Sequence, residues 1–202
     1  MSAVGLENKN VLMVIAPEGF RDEEYAQPRA ALYASGANIV TASTHAGKCR
    51  GMLDSIVHAD CTLEDAAKRA WDLAVFVGGS GAEVYFDDPT AQRIARDTLH
   101  AGKPVSAICI APSILAHAGL LDGVEATAWE GQESDLRAHG AKWTGAAVEG
   151  GQDENGTPII TANGPRAAFA FGQTLVGVLS AGDSAGETEG QSACCTRPQS
   201  RK

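Results

Sequence analysis

Short, unbroken apolar runs recur along the chain, each followed by a stretch of helical spacing closed by a glycine. The first run, over 10–16, reads NVLMVIA. A Pro-Glu-Gly turn follows, then a helix expected over 23–35 and ended by Gly36, then a second apolar strand over 37–42. The pattern returns as a strand over 72–77 ending in Gly78-Gly79, a helix over 89–101 closed by Gly102, a strand over 103–108 and a helix over 111–118. It closes with a short strand over 125–128, a helix over 134–139, a strand over 158–162 and a helix over 166–179. Strands without polar alternation are buried on both faces, and strands alternating with helices build a mostly parallel sheet covered on both sides. The expected fold is therefore α/β, a flavodoxin-like doubly wound sheet sandwiched by helices. Short β pieces over 50–57 and 146–150 are expected as hairpins at the sheet edges. Such sheets bind ligands beyond the carboxyl ends of their strands, which singles out the loops after Ala16, Val77 and Ile108.

With 202 residues, 44% of them hydrophobic, the chain has material for one well-buried domain and not two. That domain is expected over 1–181. Residues 182–202 contain no aliphatic residue larger than alanine, no aromatic and no methionine, so the segment is read as a disordered tail. The formal net charge is -9 and aromatics are 5%. Neither a phosphate-backbone binder nor a base-stacking platform has that balance, so no nucleic-acid partner is expected. No apolar run approaches the roughly 20 residues of a membrane span, and residues 1–10 lack the pattern of a secretory signal. There are five cysteines, Cys49, Cys61, Cys109, Cys194 and Cys195. An odd number with no export signal suggests a reducing, cytoplasmic setting. Neither a C-x-x-C nor a His-x-x-x-His spacing is present, so no structural zinc site is expected, and no organic cofactor is implied.

The segment over 104–115, PVSAICIAPSIL, carries the chemistry. A strand ends, Cys109 follows at once, and a helix begins within a few residues. This is the layout of a nucleophile elbow, a sharp turn that exposes its side chain. A helix N-terminus beneath a cysteine favours the thiolate through its dipole and free amides. Cys49 and Cys61 have no such context and read as structural.

The motif AIC-x-x-P after an apolar strand resembles the ThiJ/PfpI superfamily, which includes the parkinsonism-associated protein deglycase and the PfpI intracellular proteases. FVGGSGAEVYFDDP resembles the family's Gly-Gly turn, and TANGPRAAFAFGQTLVGVL its final strand, Gly-Pro turn and C-terminal helix. The resemblance covers roughly residues 9–180. It implies that Cys109 is the nucleophile and that the backbone amides of Gly79 and Ile110 form an oxyanion hole. It also implies a glutamate at the start of the first helix, hydrogen-bonded to the cysteine sulfur. Glu18, Glu23 and Glu24 are available. The family spacing, counted back from Gly36, falls on Glu24, which as a protonated acid would have a raised pKa. Glu83 matches the position from which a neighbouring subunit completes the PfpI triad, and Glu130 is a further acid near the site.

Two positions depart from the family. Ile110 stands where PfpI proteases have histidine, and Trp129-Glu130 stand where the deglycase branch supplies one. His45, His58, His100, His117 and His139 each read as structural. Peptide hydrolysis needs a base to return a proton to the leaving amine, so a PfpI-type peptidase is disfavoured. The expected function is cysteine-dependent chemistry on small reactive carbonyl or amide substrates, glyoxalase- or deglycase-type, in stress protection. The alternatives are a redox-sensing stress protein using an oxidisable Cys109, and a chaperone-like binder without turnover. The resemblance implies a homodimer or a higher homo-oligomer.

Overall fold

The computed structural model describes residues 5–184. Residues 1–4 and 185–202, Cys194 and Cys195 among them, lie outside the described part, and with them most of the expected tail. The chain enters the sheet at β1 (Asn10–Val14), whose residues from Val11 on are fully buried. It continues through β2 (Glu18–Phe20), α1 (Asp22–Ala34), β3 (Asn38–Ser43), β4 (Gly47–Gly51), β5 (Ile56–Ala59), β6 (Cys61–Thr62) and α2 (Leu63–Ala66). Next come β7 (Leu73–Phe76), a short 3-10 helix Ser80–Tyr85, α3 (Pro89–His100), β8 (Val105–Ile108) and α4 (Pro112–His117). The remainder is β9 (Glu125–Ala126), α5 (Glu133–Ala138), β10 (Lys142–Trp143), β11 (Val148–Gln152), β12 (Pro158–Ala162) and α6 (Ala168–Ser184).

Among the described residues seven strands form the main sheet in the order β11-β12-β8-β7-β1-β3-β6. Every pairing is parallel except β11 with β12. The core order β3-β1-β7-β8-β12 is that of the flavodoxin-like doubly wound sheet, with its switch point between β1 and β7. β7 and β8 are buried along their whole length, as strands covered on both faces must be. α1 and α6 pack together on one face, where Gly172 brings the helices close: a Cβ there would lie 2.8 Å from the Cα of Pro28.

Local chemistry sets the element ends. Asp88 caps α3, accepting the amides of Thr90 at 2.9 Å and Ala91 at 2.8 Å, with Pro89 in the first turn. Gly36 and Gly102 take positive φ after α1 and α3, as helix-ending glycines do. Strand β12 falls where the sequence placed it.

Three features differ from the sequence expectation. The segment over 50–57 is not an edge hairpin of the main sheet. Strands β4 and β5 join β2 in a separate three-stranded sheet. The Asp22 carboxylate holds it there, accepting the amides of Leu53 at 2.8 Å and Ser55 at 3.1 Å. The turn before α1 therefore contains a strand, β2. The last helix also continues to Ser184, past its expected end at 179.

Candidate functional site

The carboxyl ends of β1, β7, β8 and β12 meet around Cys109. Its φ is +66°, a left-handed conformation that is uncommon for a residue with a side chain. Hydrogen bonds on both sides hold it. The Cys109 amide donates to the Ala162 carbonyl at 2.8 Å, and the Trp129 amide donates to the Cys109 carbonyl at 2.8 Å. The sharp turn between β8 and α4 is thus pinned to the end of β12 on one side and to the segment before α5 on the other. The side chain is 9% exposed, and it lines a cleft of about 420 Å³.

Of the three candidate glutamates, Glu18 is exposed on β2 and Glu23 is tied to Arg21 at 2.8 Å. Glu24 is fully buried. Neither of its carboxyl oxygens makes a hydrogen bond of regular geometry; the groups that face them are the Cys109 thiol and the Gly78 amide. Gly78 lies between the two side chains. A Cβ there would sit 2.6 Å from the Cys109 Cβ, 2.6 Å from Glu24 Oε2 and 2.6 Å from the Ile108 carbonyl. Its neighbour Gly79 has φ +96° and its amide faces the Cys109 sulfur, as does the amide of Ile110.

Burial raises the Glu24 carboxyl to about 7, against smaller opposing effects of Cys109 and Arg21. Burial also pushes the Cys109 thiol up to about 12, with the Glu24 negative charge adding to it and the Gly79 and Ile110 amides opposing it. The expected activation of Cys109 by a helix terminus alone is therefore corrected: desolvation outweighs the two amides. The two groups titrate together. Once one proton has left, the single negative charge rests on the carboxylate or on the sulfur. The carboxylate faces the Cys109 thiol and the Gly78 amide, and the sulfur faces the Gly79 and Ile110 amides. Burial of an ion is tolerated where donors meet it; a charge on sulfur would meet the Gly79 and Ile110 amides, with the proton on Glu24.

Glu83 lines the same cleft from the Ser80–Tyr85 segment. Glu130 lies apart from it and lines an adjoining cleft with Trp129, Trp143 and Arg166. Arg21, Met52 and Gln132 also line the Cys109 cleft, and the sequence reading did not select them. Arg21 is placed by its amide, which donates to Gly78 at 2.9 Å. Gln132 accepts from the buried Ser113 hydroxyl at 2.9 Å. Met52 arrives on the β4–β5 hairpin. Only the Arg-Asp-Glu-Glu start of α1 carried a usable signal, since an arginine there precedes the selected glutamate by one turn. No histidine is among the residues lining the cleft. Among the described residues no helix is long and apolar enough to cross a membrane.

Residues 9–177 match the DJ-1/PfpI family. An uncharacterized protein of Methanocaldococcus jannaschii is 36% identical over 172 residues, covering 83% of this chain and 80% of its own. A deglycase of Pyrococcus horikoshii is 33% identical over 138 residues, covering 68% of this chain and 82% of its own. Among solved structures, a ThiJ/PfpI domain protein of Brachyspira murdochii superimposes with a TM-score of 0.80 at 31% identity, over 85% of this chain and 96% of that one.

Proposed function

Because this chain belongs to the DJ-1/PfpI family, we propose that it converts small reactive carbonyl compounds through Cys109, with Glu24 moving the proton. One observation carries the reading. A fully buried carboxyl with no regular hydrogen bond of its own faces a cysteine held at φ +66°. The deglycase name of a 33% identical relative supports the substrate class.

In the resting state the proton sits on Glu24 and the charge on the Cys109 sulfur, which the Gly79 and Ile110 amides face. The sulfur attacks an aldehyde carbon, and the C=O electron pair moves to oxygen. As charge leaves the sulfur it appears on that oxygen beside the same amides, donors already oriented for it. The Glu24 proton goes to the oxygen, giving a neutral hemithioacetal. The resulting Glu24 carboxylate is then the base for the next proton transfer. For a 2-oxoaldehyde, that transfer is abstraction from the carbon bearing sulfur and return to the adjacent one. The hydroxyl proton passes to the neighbouring oxygen, giving a 2-hydroxy thioester. Water adds to its carbonyl and the C–S bond breaks. The hydroxy acid leaves with the charge back on sulfur and the proton back on Glu24, so the net change is addition of one water. Arg21 at the cleft wall is suited to orient a second substrate oxygen. Glu83 is the remaining acid in the cleft.

This chemistry needs a single proton carrier, which suits a cleft with no histidine lining it. Peptide hydrolysis, which also has to protonate an amine leaving group, suits it poorly. The family resemblance supports a homo-oligomer in the cytoplasm.

The test is consumption of methylglyoxal by the full chain. Cys109→Ser is expected to abolish turnover. The redox-sensing alternative draws on the same geometry, since a Cys109 sulfinate would accept the Glu24 proton and the two amides. A protein that forms a stable sulfinate with peroxide and consumes no carbonyl substrate would establish that alternative.

A further inference from the structure

On the far side of α4 from the elbow, three side chains converge that have no part in the chemistry above. His117 is the last residue of α4. Asp135 lies in α5, and His139 follows the helix one turn later. One potential ligand atom from each lies within 4.8 Å of the others. The rings of His117 and His139 stack at 4.5 Å with 27° between their planes. His117 Nε2 points at Asp135 Oδ1 at 3.1 Å, while its Nδ1 faces Asp87 Oδ1 at 2.8 Å. His139 Nδ1 faces the Asp135 carbonyl at 2.9 Å and Asp135 Oδ1 at 3.3 Å. The second Asp135 oxygen, Oδ2, is buried and has no hydrogen-bond partner.

We propose that His117, Asp135 and His139 bind a divalent transition-metal ion of the zinc type at a site separate from the Cys109 cleft. Two imidazoles and one carboxylate are the donor set zinc takes when one position is left open. The Asp87 carboxylate supplies what a metal-bound histidine ordinarily has behind it, an acceptor that fixes the ring and its tautomer. A plain ion-pair network accounts for His117 between two aspartates. It leaves Asp135 Oδ2, a buried acceptor, without a donor, which is a costly arrangement. It also stacks two imidazoles that cannot both be charged without repulsion. A dication answers both points. A tetrahedral ion with bonds near 2.1 Å holds its ligand atoms about 3.4 Å apart; His117 Nε2 and Asp135 Oδ1 are already at 3.1 Å, and the stacked rings of His117 and His139 turn out of parallel so that both lone pairs meet the ion. Binding releases the proton that His117 Nε2 shares with Asp135.

Nothing in the residue spacing points to this cluster, because it fits no familiar motif. The Asp135 and His139 pair is one helical turn apart, but the third ligand comes from another helix. The consequence for the fold is a clip. α4 leaves directly from the Cys109 elbow, and α5 follows the Trp129–Gln132 wall of the cleft. An ion joining their ends fixes those two walls relative to each other.

The experiment is calorimetric titration of the full, metal-stripped chain with Zn2+, paired with the absorption spectrum of the Co2+ form. We expect one ion per chain, with Co2+ bands of a nitrogen–oxygen site and no thiolate charge-transfer band. His139→Gln, a half-exposed position, is expected to weaken binding about 100-fold or more. Asp87→Asn, at an exposed position behind the ligand, is expected to weaken it about 10-fold. Both variants should keep the circular dichroism spectrum of the parent. Three results would overturn the proposal: no saturable Zn2+ binding at micromolar concentration, binding unchanged in His139→Gln, or a thiolate band placing the ion on the cysteines.

Discussion

A carboxyl group that is wholly buried and meets no regular donor is stable as an acid and costly as an anion. Glu24 is in that position, and the Cys109 sulfur is where its charge can go. Two outcomes follow for single residues. Glu24→Gln keeps a hydrogen-bond donor beside the sulfur and removes the proton carrier. Turnover of a 2-oxoaldehyde should fall by about 10²- to 10⁴-fold, the usual worth of a positioned acid–base group, while Cys109 stays alkylatable. Retention of full turnover in that variant would remove Glu24 from the reaction. Gly78→Ala puts a methyl group 2.6 Å from both the Cys109 Cβ and Glu24 Oε2. It should separate the pair, lowering kcat and thermal stability together. A crystal structure of that variant with an undisturbed Cys109–Glu24 approach would contradict this. The place of Cys109 at a strand-to-helix turn was legible in the sequence, because an apolar run, a cysteine and a helical stretch follow one another directly. The choice among Glu18, Glu23 and Glu24 was legible only through the family spacing. What separates them physically is burial, and three acids in a row reveal nothing of it.

The elements act through how firmly they hold the elbow. Strand β8 delivers Cys109, and α4 leaves it within three residues. The Ser113 hydroxyl, buried in the first turn of α4, bonds Gln132 at 2.9 Å. It thereby ties the Trp129–Gln132 wall to the helix that follows Cys109. Ser113→Ala should cost about 1 kcal/mol of stability, the worth of one such bond. It should raise KM more than it lowers kcat, because the wall moves and the reacting pair does not. Steady-state kinetics with unfolding by urea would separate these effects. An unchanged KM would mean that Gln132 does not shape the substrate site. Strand runs such as NVLMVIA and glycines such as Gly36 made most elements readable in advance. The β4–β5 hairpin was readable as a hairpin but not in its place. It docks through Asp22, whose bonds to Leu53 and Ser55 span more than thirty residues of sequence, a range that local pattern does not reach. That docking is also what brings Met52 to the cleft.

At the scale of the whole molecule, the parallel order β3-β1-β7-β8-β12 gathers the candidate site at the carboxyl ends of the strands. Glu24 comes from the connection after β1, Gly78 and Gly79 from the end of β7, and Cys109 from the end of β8. Alternation of strands and helices foretold that architecture, and with it the end at which chemistry would lie. It did not foretell pairs formed between helices, such as His117 with His139. The buried acid also marks the stability of the entire domain. An unfolded Glu24 releases its proton near 4.5 and the folded one near 7. Between those values the unfolded chain has lost a proton that the folded chain retains. The stabilisation is therefore full below about 4.5 and is lost as pH rises to about 7, by about 3 kcal/mol. Urea unfolding from pH 5 to 8 should show this decline in the parent and a flatter curve in Glu24→Gln. Parallel curves for the two proteins would place the carboxyl's titration elsewhere.

The rate of Cys109 alkylation by iodoacetamide, followed against pH by mass spectrometry of the peptide carrying it, reports where the charge of the pair resides. With the proton on Glu24 and the charge on sulfur, reactivity should rise with the first ionisation of the pair, at a midpoint at or below about 7. If instead the carboxylate holds the charge, Cys109 remains a thiol until its own proton leaves near 12. A rate that climbs only toward that end of the scale would contradict the proton-sharing pair and the carbonyl chemistry built on it.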